Sequence, residues 1–256
     1  MDPATLIGFG LATVALLVTM IMEGSSPMAI ILLPPMLLVF GGTFGAAIAG
    51  STMTDVKKIG GWFKMAALPP AIPPVTERIQ TLVKLAEKAR KEGLLALEAE
   101  VKSIDDPFLK RGLQMSIDGT DPEDLRAIME GEIAAKKAED KVAAKFFNAM
   151  GGYAPTIGII GTVVGLIHVL ENLSNPDSLG PLIAGAFVAT LWGVLSANVF
   201  WLPMGAKITR TSDLQAAQME LLVEGIAEIQ AGTSPRTVRQ KLTSLVPPGE
   251  QQREAA

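Results

Sequence analysis

The chain has 256 residues with no cysteine and one histidine; 22 Lys and Arg face 26 Asp and Glu, for a net charge of −4. These counts exclude disulfides, thiolate metal sites and a centre built from histidines. Nearly half the residues are hydrophobic (49%), only 19% are charged, and mean hydropathy is +0.37, a balance too apolar for an ordinary soluble domain.

The charge is segregated. Residues 1–56 and 146–206 hold no Lys or Arg, and every basic residue lies in 57–145 or 207–253. There the bases alternate with acids, which argues against a nucleic-acid-binding face. Four apolar stretches without Asp, Glu, Lys or Arg, at 4–22, 28–50, 149–170 and 179–204, match the ~20 residues that cross a bilayer core. Backbone polar groups in lipid must be satisfied within a helix or a closed barrel. The length of these stretches and their lack of alternation exclude barrel strands. The predicted fold class is all-α: a polytopic membrane protein with four transmembrane helices and a cytoplasmic helical domain between the second and third.

The first stretch has no basic residues before it and a second apolar run soon after, so it reads as a retained helix, not a signal peptide. The connections at 23–27 and 171–178 lack basic residues, whereas Lys57, Lys58 and Lys64 follow the second span. Lys141 and Lys145 precede the third span, and Lys207 and Arg210 follow the fourth. The positive-inside rule then places 51–148, 205–256 and the N-terminus in the cytoplasm, and the expected location is a bacterial inner membrane.

Residues 54–66, with Trp62 and Phe63 beside three lysines, read as an interfacial helix. Four prolines in 68–75 read as a bend. Leu82, Leu85 and Ala89, then Leu94, Leu97 and Val101, fall at helical spacing. Asp121 can cap a new helix with Pro122 in its first position. The expected domains are thus 1–50 (spans one and two), 51–148 (the cytoplasmic helical domain), 149–204 (spans three and four), 205–231 (a helical extension) and 232–256 (a flexible tail).

Within the spans, small residues recur at helical intervals: Gly41, Gly45 and Ala49; Gly158, Gly161, Thr162 and Gly165; Gly185, Ala189, Gly193 and Ala197. Such ridges let backbones approach closely, either within the chain or around partner helices in an oligomer. Pro155 and Pro203 lie near the cytoplasmic ends of spans three and four, where each removes a helical hydrogen bond and favours a kink. Thr162 and Thr190 are mid-membrane hydroxyls. Each can bond its own i−4 carbonyl or line a path for hydrated ions. Thr162 lies seven residues beyond Pro155, on nearly the same face and ~10 Å along the axis. His168, near the outer end of span three, suits interfacial packing.

Ion pathways ordinarily place an ionisable group inside the membrane, and these spans bring none. If ions pass, another chain must carry the carboxylate. No phosphate-binding lysine loop or paired-His zinc motif is present, so an enzyme is not expected and no cofactor is implied.

Two spans, a helical domain of about a hundred residues, two more spans and a charged tail resemble the MotA/PomA family, the A subunits of flagellar stators. The third-span string from Tyr153 to Leu166 carries the resemblance, with Gly180-Pro181-Leu182 and Ala189-Thr190-Leu191-Trp192-Gly193 in the fourth span, which ends at Pro203. The likeness covers residues 5 to about 230. ExbB/TolQ-like energisers of outer-membrane processes share the two-helix core but have three spans, and they are the main alternative; a passive scaffold is another.

The resemblance implies a ring of five copies around a dimer of B subunits (MotB/PomB-like), which supply the ion-binding aspartate. It implies Pro155, Thr162, Thr190 and Pro203 in the ion pathway and its conformational coupling. The string from Ala89 to Glu98 matches the family's rotor-contacting region, so Arg90 and Glu98 are implied to meet the rotor switch protein; on residue pattern alone they are solvated helix charges. Family members run on protons or sodium. Ala189 stands where sodium-driven members tend to carry a second threonine, which favours protons.

Overall fold

A computed structural model describes residues 3–247, and among these the secondary structure is helical throughout. In chain order come α1 (Pro3–Met22), a 3-10 turn (Pro27–Ile30), α2 (Leu33–Ala49), α3 (Met53–Val56), α4 (Ile59–Ala67) and α5 (Val75–Glu92). A 3-10 turn (Leu94–Leu97), α6 (Glu98–Ser103), α7 (Pro107–Ile117), α8 (Pro122–Glu171) and α9 (Pro176–Ser196) follow. A π turn (Ala197–Trp201) leads into α10 (Leu202–Gln230), and α11 (Pro235–Ser244) ends the described chain. The chain divides into two compact units, Met1–Pro70 with Asp140–Arg210, and Ala71–Glu139 with Thr211–Ala256.

Pro3–Met22, Pro122–Glu171 and Pro176–Gln230 are long and apolar enough to cross a membrane. Leu33–Ala49 is apolar but has 17 residues, about 25 Å of helix, at the short end of the spanning range. This helix starts later than the expected position 28. Pro34 and Pro35 have no N–H to give and occupy its first turn, the place where that loss is harmless, and a separate 3-10 turn takes up Pro27–Ile30. α1 buries no residue within the chain, so its apolar surface is left for lipid or partners.

Residues 54–66 are not one interfacial helix. They fall in α3, opened by a Thr52/Asp55 capping box, and α4. Trp62 is buried against Phe146 with ring centroids 5.4 Å apart, and Phe63 stacks edge-on against Phe147 at 5.0 Å. These aromatics fill a core with Ala143, Ala144 and Met150; only the lysines keep the solvated positions expected of the stretch.

In the second unit, α5, α6, α7 and α11 pack with the N-terminal part of α8 and the C-terminal part of α10 around Leu82, Leu97, Leu113, Leu125, Ile226 and Leu242. Pro122 does open α8, as the Asp121–Pro122 pair predicts. Asp106 caps α7, accepting from the Phe108 and Leu109 amides at 2.9 and 3.1 Å, and pairs with Arg78. Burial pushes the Asp106 carboxyl up, but the Arg78 guanidinium and the two amides outweigh it and hold the group below the ordinary carboxylate range.

The flexible tail expected from 232 is not what residues 232–247 form. Gly232, at φ 68°, closes α10, with Thr233 N–H donating to the Glu228 carbonyl at 3.1 Å. Ser234 then caps α11 by accepting from the Thr237 amide at 3.2 Å. Val238 and Leu242, one turn apart, are fully buried, and Lys241 bonds Glu228 at 2.5 Å. The expected disorder over 248–256 lies outside the described residues.

Two expectations follow. Leu242→Ala should destabilise the protein by about 2–5 kcal/mol and expose the 232–247 segment to protease, read by melting and limited proteolysis of the detergent-purified chain. Because the folded pKa of Asp106 is depressed, its stabilising contribution is complete above the ordinary carboxylate pKa and is lost as pH falls through the folded value. Acidifying should therefore lower the melting temperature of wild type more steeply than that of Asp106→Asn.

Candidate functional site

In the first unit, the membrane portions of α8 and α9 run antiparallel and almost touch. A Cβ built on Gly193 would lie 2.6 Å from the Ala154 carbonyl oxygen and 3.0 Å from Gly158 Cα. One on Gly158 would lie 2.9 Å from the Ala189 carbonyl oxygen, and Gly161 and Gly165 meet Ala189 and Ala186 at 2.6 and 2.7 Å. Any side chain at these glycines would wedge the helices apart. The ridges of spans three and four are thus consumed within the chain, while Gly41 and Gly45 of α2 face open space.

The close approach brings the two predicted threonines together. Thr162 Oγ1 and Thr190 Oγ1 are 2.5 Å apart, and both residues are half-buried. Thr162 Oγ1 also lies 3.0 Å from the Ala186 carbonyl oxygen and 3.3 Å from that of Gly158; Thr190 Oγ1 lies 3.4 Å from the Gly158 carbonyl. Each hydroxyl has one proton to donate. The arrangement that uses the shortest contacts has Thr190 donating to Thr162, and Thr162 donating to Ala186. Thr190 then keeps both lone pairs for an incoming donor or cation. The local i−4 bond is therefore only the longer of the carbonyl contacts of Thr162.

Pro155 joins this site: it is half-buried, and its Cα lies 3.3 Å from where a Gly193 side chain would begin. Pro203 does not. It is exposed, beyond the seam, and stands just after the π turn. In this wider turn the Leu202 N–H reaches back to the Ala197 carbonyl.

Arg90 and Glu98 belong to the other unit. Arg90 is in the last turn of α5 and Glu98 opens α6. Both are exposed; Glu98 faces Lys102 at 3.9 Å, and Arg90 makes no ion pair among the described residues. His168 is exposed beside Glu171 at 3.4 Å, and among the described residues no group of three His, Asp or Glu is placed to hold a metal.

Sequence reasoning missed two features of the spans. The Trp192 indole N–H donates to the Ile30 carbonyl at 2.6 Å, tying α9 to the turn before α2. Thr43, fully buried in α2, has a hydroxyl without a partner. A tryptophan inside an apolar span was the available signal for the first, since a buried indole N–H seeks an acceptor.

The sequence matches the profile of the MotA/TolQ/ExbB proton channel family over residues 100–221. It is 37% identical over 247 residues to motility protein A of Bacillus subtilis (strain 168), covering 96% of this chain and 92% of that one. Among solved structures it is similar to the C. jejuni MotAB structure, with a TM-score of 0.92 at 31% identity and 97% of both chains covered. It is also similar to the flagellar MotAB stator complex from Bacillus subtilis, with a TM-score of 0.91 at 36% identity, covering 99% of this chain and 100% of that one.

Apolar helices of spanning length make this a membrane protein, and its stretch 100–221 matches the MotA/TolQ/ExbB proton channel family. Within that class, the full-length likeness shows that the chain belongs to the motility protein A family.

Gly193→Ala tests the seam. The added methyl meets backbone atoms that cannot swing aside, so the helices must separate, at about 1–3 kcal/mol, and the Thr162–Thr190 contact must open. Swimming should be lost in a motility assay, while Gly60→Ala, where a methyl meets open space, should swim as wild type.

Proposed function

We propose that the chain is the A subunit of a flagellar stator, one of five copies around a B-subunit dimer, converting ion flux into torque on the rotor. The observation that carries this reading is the hydroxyl pair Thr162–Thr190 on a seam that lacks any titratable group. Such a seam can pass a proton or order a hydrated ion, but it cannot store charge. The carboxylate must come from a partner helix, and the B subunit is the natural source for a chain similar to solved MotAB structures.

Protonation of that carboxylate removes the several-kcal/mol cost of a charge in lipid. The preferred packing of the partner helix against Pro155 and Thr162 then changes. Each charge crossing yields about 2.3 kcal/mol per 100 mV, and successive crossings would turn the A ring relative to B. The full-length likeness to motility protein A favours this over an ExbB/TolQ-like energiser. The topology that goes with it has the second unit in the cytoplasm, where Arg90 and Glu98 steer against charges of the rotor switch protein; the exposure of both side chains supports this. The coupling ion is a proton, because Ala189 leaves Thr190 as a lone hydroxyl at its level of α9.

Thr190→Val keeps the shape and removes the hydroxyl. It should stop swimming without reducing membrane insertion or co-purification of the B subunit, and Thr190→Ser should restore movement. Unimpaired swimming of Thr190→Val refutes the pathway. Charge reversal at Arg90 should reduce torque, and a compensating reversal on the rotor should recover it; indifference to both would remove Arg90 from the rotor contact. Swimming speed that follows sodium concentration and survives a proton uncoupler would replace the proton with sodium.

A further inference from the structure

We infer that the π turn Ala197–Trp201 is a register device that aims Thr190 at Thr162. This inference rests on the reading of that pair as part of the ion pathway. The seam residues of α8 keep a seven-residue rhythm: Asn148, Pro155 and Thr162 all face the α9–α10 side. On α9, Ala186 and Gly193 keep the same rhythm. An unbroken α-helix would carry it on to Phe200 and Lys207.

Those two residues face elsewhere. Phe200 packs edge-on against Phe9 of α1 at 5.2 Å, and Lys207 donates to Thr5 Oγ1. The contacts to α8 fall on other residues: Leu202 against Gly151, Gly205 against Asn148 and the Ala144 carbonyl, and Ile208, one position after Lys207, in the core with Ala143 and Phe147. Gly193 and Gly205, twelve residues apart, would diverge by about 120° around a continuous α-helix. One residue absorbed in a π turn brings the difference down to about 20°, which agrees with both glycines touching α8.

Without the turn, the helix cannot satisfy both halves. Either Lys207 and Phe200 rotate into the seam, where a glycine now fits, or the lower half keeps its packing and the upper half turns. The second course carries Thr190 about 100° away from Thr162. Pro203 favours the location, because a proline lacks an N–H and crowds the carbonyl four residues back, here that of Val199, within the widened turn.

The test is helical phasing. Inserting one alanine after Asn198 adds a residue that the existing π turn cannot absorb and should rotate Thr190 away from Thr162, abolishing swimming. Deleting Val194 in that same variant restores the count between Gly193 and Gly205 and should restore swimming. Deleting Asn198 alone should convert the π turn to α-helix and leave the threonines in contact. The readouts are swimming and the Thr162–Thr190 distance in cryo-EM reconstructions of each A–B complex. The inference is overturned if the insertion leaves the hydroxyls in contact, if deletion of Asn198 separates them, or if the Val194 deletion fails to bring them back. An insertion variant with separated hydroxyls that still swims would uphold the register device and sink the ion-pathway reading instead.

Discussion

Lipid offers a backbone no hydrogen bonds and offers apolar side chains no reason to leave it. Two helices in a bilayer therefore associate tightly only where their surfaces can come close. Here that place is Gly158 against Gly193, where each backbone fills the space a side chain would take on the other. At this separation the Thr162 and Thr190 hydroxyls, which in a looser pair would each turn back to their own helix, reach one another. Pro155 is tolerated because it lies against the glycine side of the partner helix. The seam, the hydroxyl pair and the placement of the proline are consequences of one contact.

The same contact constrains the rest of the first unit. α9 is tied at its other side by Trp192 to the turn before α2, so it is held on two faces. Below the seam the chain has to satisfy α1, through Phe200 and Lys207, and α8, through Gly205 and Ile208. A helix of uniform pitch cannot meet these demands together with the glycine seam. The one irregular turn in an otherwise continuous 55-residue helix sits where the conflict arises. π turns are uncommon in proteins and concentrate at functional sites, which agrees with a place between the hydroxyl pair and the membrane exit.

Much of this was legible beforehand. Apolar length gave the helical membrane class, and the small residues at helical intervals in spans three and four marked faces that pack within the chain. Asp121 followed by Pro122 marked the start of α8. Less accessible was anything that depends on rotation between elements. Thr162 and Thr190 could each be placed at mid-membrane, but their pairing needs the relative phase of two helices, which no local pattern carries. Pro203 announced a disturbance without saying whether it would be a kink or an extra residue. Two errors came from weighing composition over pattern. Ile59, Trp62 and Ala66 form a stripe buried in the chain's own core, where the neighbouring lysines suggested aromatics turned outward. Ser234, Pro235, Val238 and Leu242 spell a cap, a first-turn proline and an apolar pair, inside a stretch polar enough to read as a tail.

The account stands on a passage whose walls are supplied by this chain and whose titratable group is not. Proton flux into liposomes measures that division directly, comparing the purified chain alone with its complex with the B subunit under the same imposed potential. The account predicts flux above lipid leakage only for the complex. Sustained flux through the chain alone would contradict it, because the seam would then move protons without a partner's carboxylate.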